Sequence, residues 1–190
     1  MDTRVIGSLC TTAAIIGAGP MGRAVACRLA DAGALLFADR NPDRARAAVT
    51  GIRGGVTASS LDDALAADIV VLALPFPGTI RFAREHALQL MGKIVVDIDN
   101  PFDKRWIPLL ASPSTSAAEL LADELPFSHV VKAMCVDAAE LDVFIAGDNE
   151  GAKKQVMDLV QAAGLRQVDA GRLGNARHLE RLQVGAQRAA

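Results

Sequence analysis

The sequence predicts an α/β fold, a doubly wound and mostly parallel sheet with helices on both faces, and three observations predict it. Short runs of Val, Ile, Leu and Ala recur along the chain and alternate with helical patterns. These runs are apolar at every position rather than at every second one, as strands covered on both faces must be. The first of them, Ala14-Ile-Ile16, passes directly into Gly17-Ala-Gly-Pro-Met-Gly22, a glycine-rich turn at the mouth of an alanine-rich helix.

That turn has a physical reading. Gly17 permits the tight exit from the strand, Gly19 lets a ligand approach the backbone, and Gly22 lets the helix lie close on the sheet. The free N–H groups at the helix start then face an anion. A helix over 23–32 ends at Gly33, and a second apolar strand over 34–38 finishes at Asp39. Asp39 stands 17 residues after Gly22 and 22 after Gly17, a spacing that brackets a ribose-binding acid. Strand, turn, helix, strand and acid together indicate a dinucleotide site; a purely structural glycine turn is the alternative.

The same logic orders the rest. A helix over 43–49, a loop over 51–55 and a short strand over 56–58 precede a helix started by Ser59 or Ser60. Strands follow over 69–74 and 94–98, with Pro75 and then a helix reaching Leu90 between them, and Asn100-Pro101 closing the second. Residues 103–116 are the longest irregular segment and suit a loop over the cleft. Ser116 with Glu119 three residues on forms a capping box for a helix over 117–125. Strands over 129–133 and 143–146, a helix over 149–163, a strand over 165–168 and a last helix from near Asn175 complete the chain. We expect one dinucleotide-binding domain over 1–190, with a core in 1–140 and a small α/β extension in 141–190.

Composition excludes several classes. The chain has 190 residues with 20 basic and 22 acidic side chains, interspersed, for a net charge of −2. No basic stripe suggests nucleic acid or an anionic membrane, so the expected partner is a small molecule. Positions 5–22 lack charge, yet hold four glycines and Pro20, which fits a buried strand and not a membrane span. Cys10, Cys27 and Cys135 are odd in number without CxxC spacing, against a disulfide framework or a zinc site and for a cytoplasmic, reducing location. His86, His129 and His178 show no ligand spacing, and no metal is expected.

Seven motifs occur in order: Gly17-Ala-Gly-Pro-Met-Gly22, Val95-Val-Asp-Ile-Asp-Asn-Pro101, Ser116-Ala-Ala-Glu119, Val131-Lys-Ala133, Phe144-Ile-Ala-Gly-Asp148, Val168-Asp-Ala-Gly171 and Asn175-Ala-Arg-His-Leu-Glu180. Together they resemble the deazaflavin (coenzyme F-420) dependent NADP oxidoreductase family, NADPH-dependent reductase type, over about residues 13–180. The cytosolic flavin-reducing domain of transmembrane ferric reductases and the pyrroline-5-carboxylate reductases are related folds. The resemblance implies a Rossmann-like fold and hydride transfer between a nicotinamide and a deazaflavin or flavin lying against it.

By resemblance, Gly17, Gly19, Pro20, Met21 and Gly22 hold the pyrophosphate. Leu74, Pro75 and Phe76, with Asn100 and Pro101, line the nicotinamide side, where plain loop punctuation is the alternative for the two prolines. Ala133, Met134 and Cys135 face the acceptor. Family members carry His or Asn at about the position of Cys135, and this departure leaves the acceptor open. NADP users end the second strand with a small polar residue and then Arg, whereas this chain has Asp39-Arg40. A carboxylate favours a free ribose 2′-OH, while Arg40 and Arg44 can offset its repulsion of a phosphate or stack on adenine. NADP and NAD both stay open.

No acid or base stands out, and hydride exchange between stacked carriers needs proximity and exclusion of water more than proton transfer. Reduction of an imine needs a proton donor, for which Cys135, Lys132 and Asp137 are the candidates. Against that role, Lys132 reads as a solvated strand residue, Asp137 as a turn or cap and Cys135 as a packing residue. Asn175, Arg177 and Glu180 open the last helix and either fix the cleft or a subunit contact, or form a cap with an exposed ion pair. Relatives pair through a long apolar helix after this motif; the shorter stretch here predicts a reduced homodimer contact and a more open acceptor side. Three functions are therefore carried forward: the hydride exchange above, an NAD(P)H-dependent reductase of a small imine or carbonyl, and a non-enzymatic dinucleotide-binding sensor or partner module.

Overall fold

A computed structural model describes residues 11–102, 107–110, 114–134 and 142–188, without the side chains of Met134 and 183–188. The elements in chain order are β1 (Ala13–Ile16), α1 (Pro20–Leu29), β2 (Leu35–Ala38), α2 (Pro42–Val49), β3 (Val56–Ala58), α3 (Leu61–Ala66), β4 (Ile69–Leu72), α4 (Gly78–Leu90), β5 (Ile94–Asp97), α5 (Ala117–Glu124), β6 (His129–Met134), β7 (Asp142–Gly147), α6 (Glu150–Ala162), β8 (Arg166–Asp169), a 3-10 turn (Leu173–Asn175) and α7 (Ala176–Arg188). The strands form one sheet in the order β3-β2-β1-β4-β5-β6-β7-β8. Neighbours are parallel except β6 and β7, which run antiparallel. Strand order reverses between β1 and β4, so the crevice beyond their carboxyl ends is where such a sheet binds ligands.

Alternation explains why the strands are apolar throughout. Ala13 and Ile15 of β1, Ile69 and Val71 of β4, and Ile94 and Val96 of β5 join one core with Ala26 and Leu29 of α1 and with Val156 and Leu159 of α6. Ala14 and Ile16, Val70 and Leu72, and Val95 face the opposite way, against Leu65 of α3, Phe82 and Leu90 of α4, and Leu121 of α5. Successive side chains of a strand point to opposite faces, so a sheet roofed on both sides needs apolar residues at every position. At the edges, β3 and β8 are only half-buried.

Helix α1 begins at Pro20, three residues before the expected start, because Gly19 is the cap and Pro20, with φ already helical and no N–H to satisfy, occupies the first turn. Arg23 ties α1 to the end of α2 by donating to the carbonyls of Ala48 and Thr50. The predicted capping box is present: Ser116 accepts from Glu119 N–H while the Glu119 carboxylate accepts from Ser116 N–H. Beyond residue 141, β7 and β8 extend the same sheet.

Candidate active site

The carboxyl end of β1 sets the geometry. Gly17 has φ +122°, and a Cβ there would stand 2.3 Å from the carbonyl oxygen of Ala73 beyond β4. Gly22 lies against the turn itself: a Cβ would come 1.9 Å from Gly17 O. At Gly19 the added carbon meets nothing within 4 Å. The first and third glycines therefore serve strand exit and helix packing, and the middle one leaves open space at the N-terminus of α1.

Asp39, just past β2, braces this turn. Its Oδ2 accepts from Ala18 N–H at 2.9 Å and its Oδ1 from Asn41 N–H at 3.0 Å. Arg44 approaches Oδ1 at 3.9 Å from an exposed position. The carboxylate thus fixes the turn while standing at the rim of the cleft with the exposed Arg40.

One cleft of about 860 Å³ runs from the turn across the sheet. Its floor passes from Gly17, Gly19 and Asp39 to Leu74 and Phe76, and then to Asp99 and Phe102 beyond β5. Thr79, at the start of α4, is buried and donates its hydroxyl to Leu74 O at 2.9 Å, holding the loop after β4 in place. A second depression of about 630 Å³ opens among Asp68, Lys93, His129 and Asn149. It lies at the amino ends of β4–β6, away from the crevice that open α/β sheets use.

Beneath the cleft is a buried ionic cluster. Lys132 of β6 is 0 % exposed; its Nζ lies 2.8 Å from Asp97 Oδ2 and 3.3 Å from Glu180 Oε1, and it donates to Asp99 O. Glu180 reaches in from α7 and accepts from Ala117 N–H at 3.1 Å, so it also caps α5. Burial opposes the Lys132 charge, but Asp97 and Glu180 outweigh it and raise the ammonium above its ordinary value. Burial raises the Glu180 carboxyl, against the pull of Lys132.

Asp99 stands between this cluster and the cleft. Its own N–H donates to Asp97 Oδ1 at 3.0 Å, its Oδ1 accepts from Asn100 N–H at 2.8 Å, and its Oδ2 is 3.5 Å from the Thr79 hydroxyl. Burial, with the Asp97 carboxylate adding to it, pushes the Asp99 carboxyl up to about 7. The Lys132 ammonium, aimed at the backbone carbonyl of Asp99, offsets only part of this.

Residues 12–101 match the family model described as NADP oxidoreductase, coenzyme F420-dependent. The F420-dependent NADP reductase of Methanocaldococcus jannaschii is 31% identical over 189 residues, spanning 86% of this chain and 85% of that protein. The chain belongs to this F420-dependent NADP oxidoreductase family. Metalloreductase STEAP3 of Rattus norvegicus is 30% identical, with the chain spanning 36% of its length. Among solved structures, a hypothetical protein of Sinorhizobium meliloti superposes with a TM-score of 0.74 at 31% identity, covering 87% of each chain. A putative F420-dependent NADP reductase of an Arthrobacter species gives 0.72 at 29% identity, covering 90% of each. As a member of this family, the chain is an oxidoreductase.

Within this F420-dependent NADP oxidoreductase fold, the cleft brings together Gly17, Gly19, Pro20, Met21, Asp39 and Arg40 at one end. Leu74, Pro75, Phe76 and Asn100 line the other. Gly22 and Pro101 are buried outside the lining, the first packing α1 on the turn. Ala133, expected to face the acceptor, is instead buried in the core beside α1 and α6, because its place in β6 turns it to that face. The Met134 side chain, Cys135 and Asp137 lie outside the described residues.

The reading of Lys132 as solvated is corrected: two acidic partners distant in sequence make its full burial affordable. The alternatives left open for the last motif resolve into three contacts. Asn175 donates to Ala170 O at 2.6 Å, Arg177 pairs with Glu119, and Glu180 joins the buried cluster. Asp99, which the motifs do not single out, also lines the cleft. The available signal was its place two positions after Asp97, where the end of a strand crowds two carboxylates together. Among the described residues, no group of three or more His, Cys, Asp or Glu could hold a metal, and no helix is long and apolar enough to cross a membrane.

Proposed function

We propose that this oxidoreductase exchanges a hydride between a nicotinamide dinucleotide and a deazaflavin or flavin acceptor. The observation that carries the reading is the continuity of the cleft from the open space at Gly19 to the apolar Leu74 and Phe76 beyond β4. The residues present fit a dinucleotide. The N–H groups at the start of α1 would receive the pyrophosphate, Asp39 and Arg40 the adenosine end, and Leu74, Pro75 and Phe76 the nicotinamide. When bound, the dinucleotide supplies the hydride. The protein's part is to fix the ring and exclude water from the face on which transfer occurs, which lowers the barrier through positioning.

The name of the Methanocaldococcus jannaschii relative supports NADP and a deazaflavin as the pair. Asp39 supports use of NAD as well, because a carboxylate suits a free 2′-OH. A second reading, reduction of a small imine or carbonyl, is favoured by Asp99, an acid lining the cleft whose carboxyl burial pushes up to about 7.

Anaerobic mixing of the purified protein with NADPH or NADH and a panel of deazaflavin, flavin, imine and carbonyl acceptors tests both readings. Turnover with deazaflavin or flavin supports the first, and turnover confined to imines or carbonyls replaces it with the second. Cofactor binding without turnover on any acceptor overturns both and leaves a binding module.

A further inference from the structure

Asp99 and the exposed Glu85 are acids of the cleft to which cofactor binding gives no role, and of the two Asp99 is the less exposed. Asp99 lines the cleft beyond β5, together with Leu74 and Phe76. Four contacts hold it: its own N–H donates to Asp97, the backbone N–H groups of Asn100 and Phe76 donate to its carboxyl, and Lys132 Nζ donates to its carbonyl. The Thr79 hydroxyl, already donated to Leu74 O, stands 3.5 Å from Oδ2.

The charged groups around Asp99 come from three directions. Asp97 shares its own strand end, Lys132 approaches from β6, and Glu180 lies behind Lys132 on α7. Arg81 and Glu85 of α4 line the same cleft from exposed positions. Lys132 cannot serve a ligand, being fully buried and shared by Asp97 and Glu180. Asp99 combines a place in the cleft lining with a partly dry setting.

Resting on the proposed hydride transfer, we propose that Asp99 is the proton donor that completes the reduction of the acceptor. The C–H bond of the dihydronicotinamide breaks and a C–H bond forms on the acceptor carbon. The electron pair of the acceptor double bond comes to rest on its nitrogen or oxygen. That atom takes the proton of the Asp99 carboxyl as its O–H bond breaks, and the carboxylate left behind regains a proton from water at the cleft mouth. A carboxyl raised to about 7 is half-protonated at neutral pH, the condition in which a group both holds and releases a proton efficiently.

The raised value also has a sign in stability. Between 3.8 and about 7 the unfolded chain has released this proton and the folded chain retains it, so stability falls as pH rises through that window. Asp99→Asn removes this fall.

The test compares wild type, Asp99→Asn and Asp99→Ser, the last keeping a short acceptor for Asn100 N–H should the amide misfold. In wild type, kcat at saturating reduced cofactor is expected to fall above about pH 7 with a single ionisation. In the variants kcat drops by about 10²- to 10⁴-fold and loses that limb, with cofactor affinity unchanged. Infrared difference spectra across the same pH range should show a protonated-carboxyl band in wild type that the variants lack. Turnover with no such limb, or variants as fast as wild type, overturns the proton donor and leaves the hydride transfer standing. Cofactor binding without turnover on any acceptor overturns the hydride transfer and the donor with it.

Discussion

Lys132 and Asp97 lie opposite one another in the parallel register of β6 and β5, with Nζ and Oδ2 2.8 Å apart and both side chains out of reach of water. The pair sits at the carboxyl end of the sheet, directly behind the loop that carries Asp99 and Asn100. It therefore fixes the far wall of the cleft as well as the sheet.

Lys132→Met should be strongly destabilising, by about 3–5 kcal/mol, because it leaves Asp97 and Glu180 buried without their cation. Adding Asp97→Val and Glu180→Leu to Lys132→Met should recover part of that loss, since the buried charges are gone while the N–H groups of Ala117 and Asp99 lose their acceptors. Urea denaturation measures both. A single variant as stable as wild type would show that the cluster is hydrated.

The glycines of the turn should separate in their effects. Gly19→Ala places its methyl in open space, so the melting temperature should hold while affinity for both reduced cofactors falls at least about tenfold, the methyl filling that space. Gly22→Ala drives a carbon against Gly17 O and should cost about 1–3 kcal/mol in addition to cofactor binding. Thermal melting alongside fluorescence titration with NADH and NADPH reads the two effects. Equal loss of stability in both variants would contradict the separate roles.

Asp39→Ser should raise the ratio of NADPH to NADH affinity by about tenfold or more, as a carboxylate that repels a 2′-phosphate is replaced by a donor, with Arg40 and Arg44 left in place. Some affinity for both cofactors should be lost, because the brace on Ala18 N–H weakens. Dissociation constants for the two cofactors, in both proteins, decide it. An unchanged ratio would make Asp39 a brace of the turn with no part in cofactor choice.

Strands β1, β4 and β5 were legible because burial on both faces leaves a continuous apolar run, and the turn was legible because its glycines answer to steric demands within a few residues. The antiparallel entry of β7 left no trace, since periodicity reports which faces are buried and carries no direction. Lys132 misled for a related reason: its counter-charges, Asp97 and Glu180, lie far away in sequence on either side. Asp39 was found by spacing, yet its hold on Ala18 N–H depends on how β1 and β2 sit side by side. Asp99 was in plain view, but its environment is made by burial and by Asp97, neither of which a single letter displays.

The reach of α7 also bears on the order of synthesis. Glu180 is the second carboxylate on Lys132 and the cap on Ala117, and Arg177 grips Glu119 at the start of α5. A ribosome that has delivered β1 through β6 has therefore made Lys132 and its first partner Asp97 before the second, Glu180, exists. Until α7 emerges, Ala117 N–H and the second side of Lys132 lack the carboxylate that both share in the folded chain, so α7 completes the packing of β6 against the start of α5.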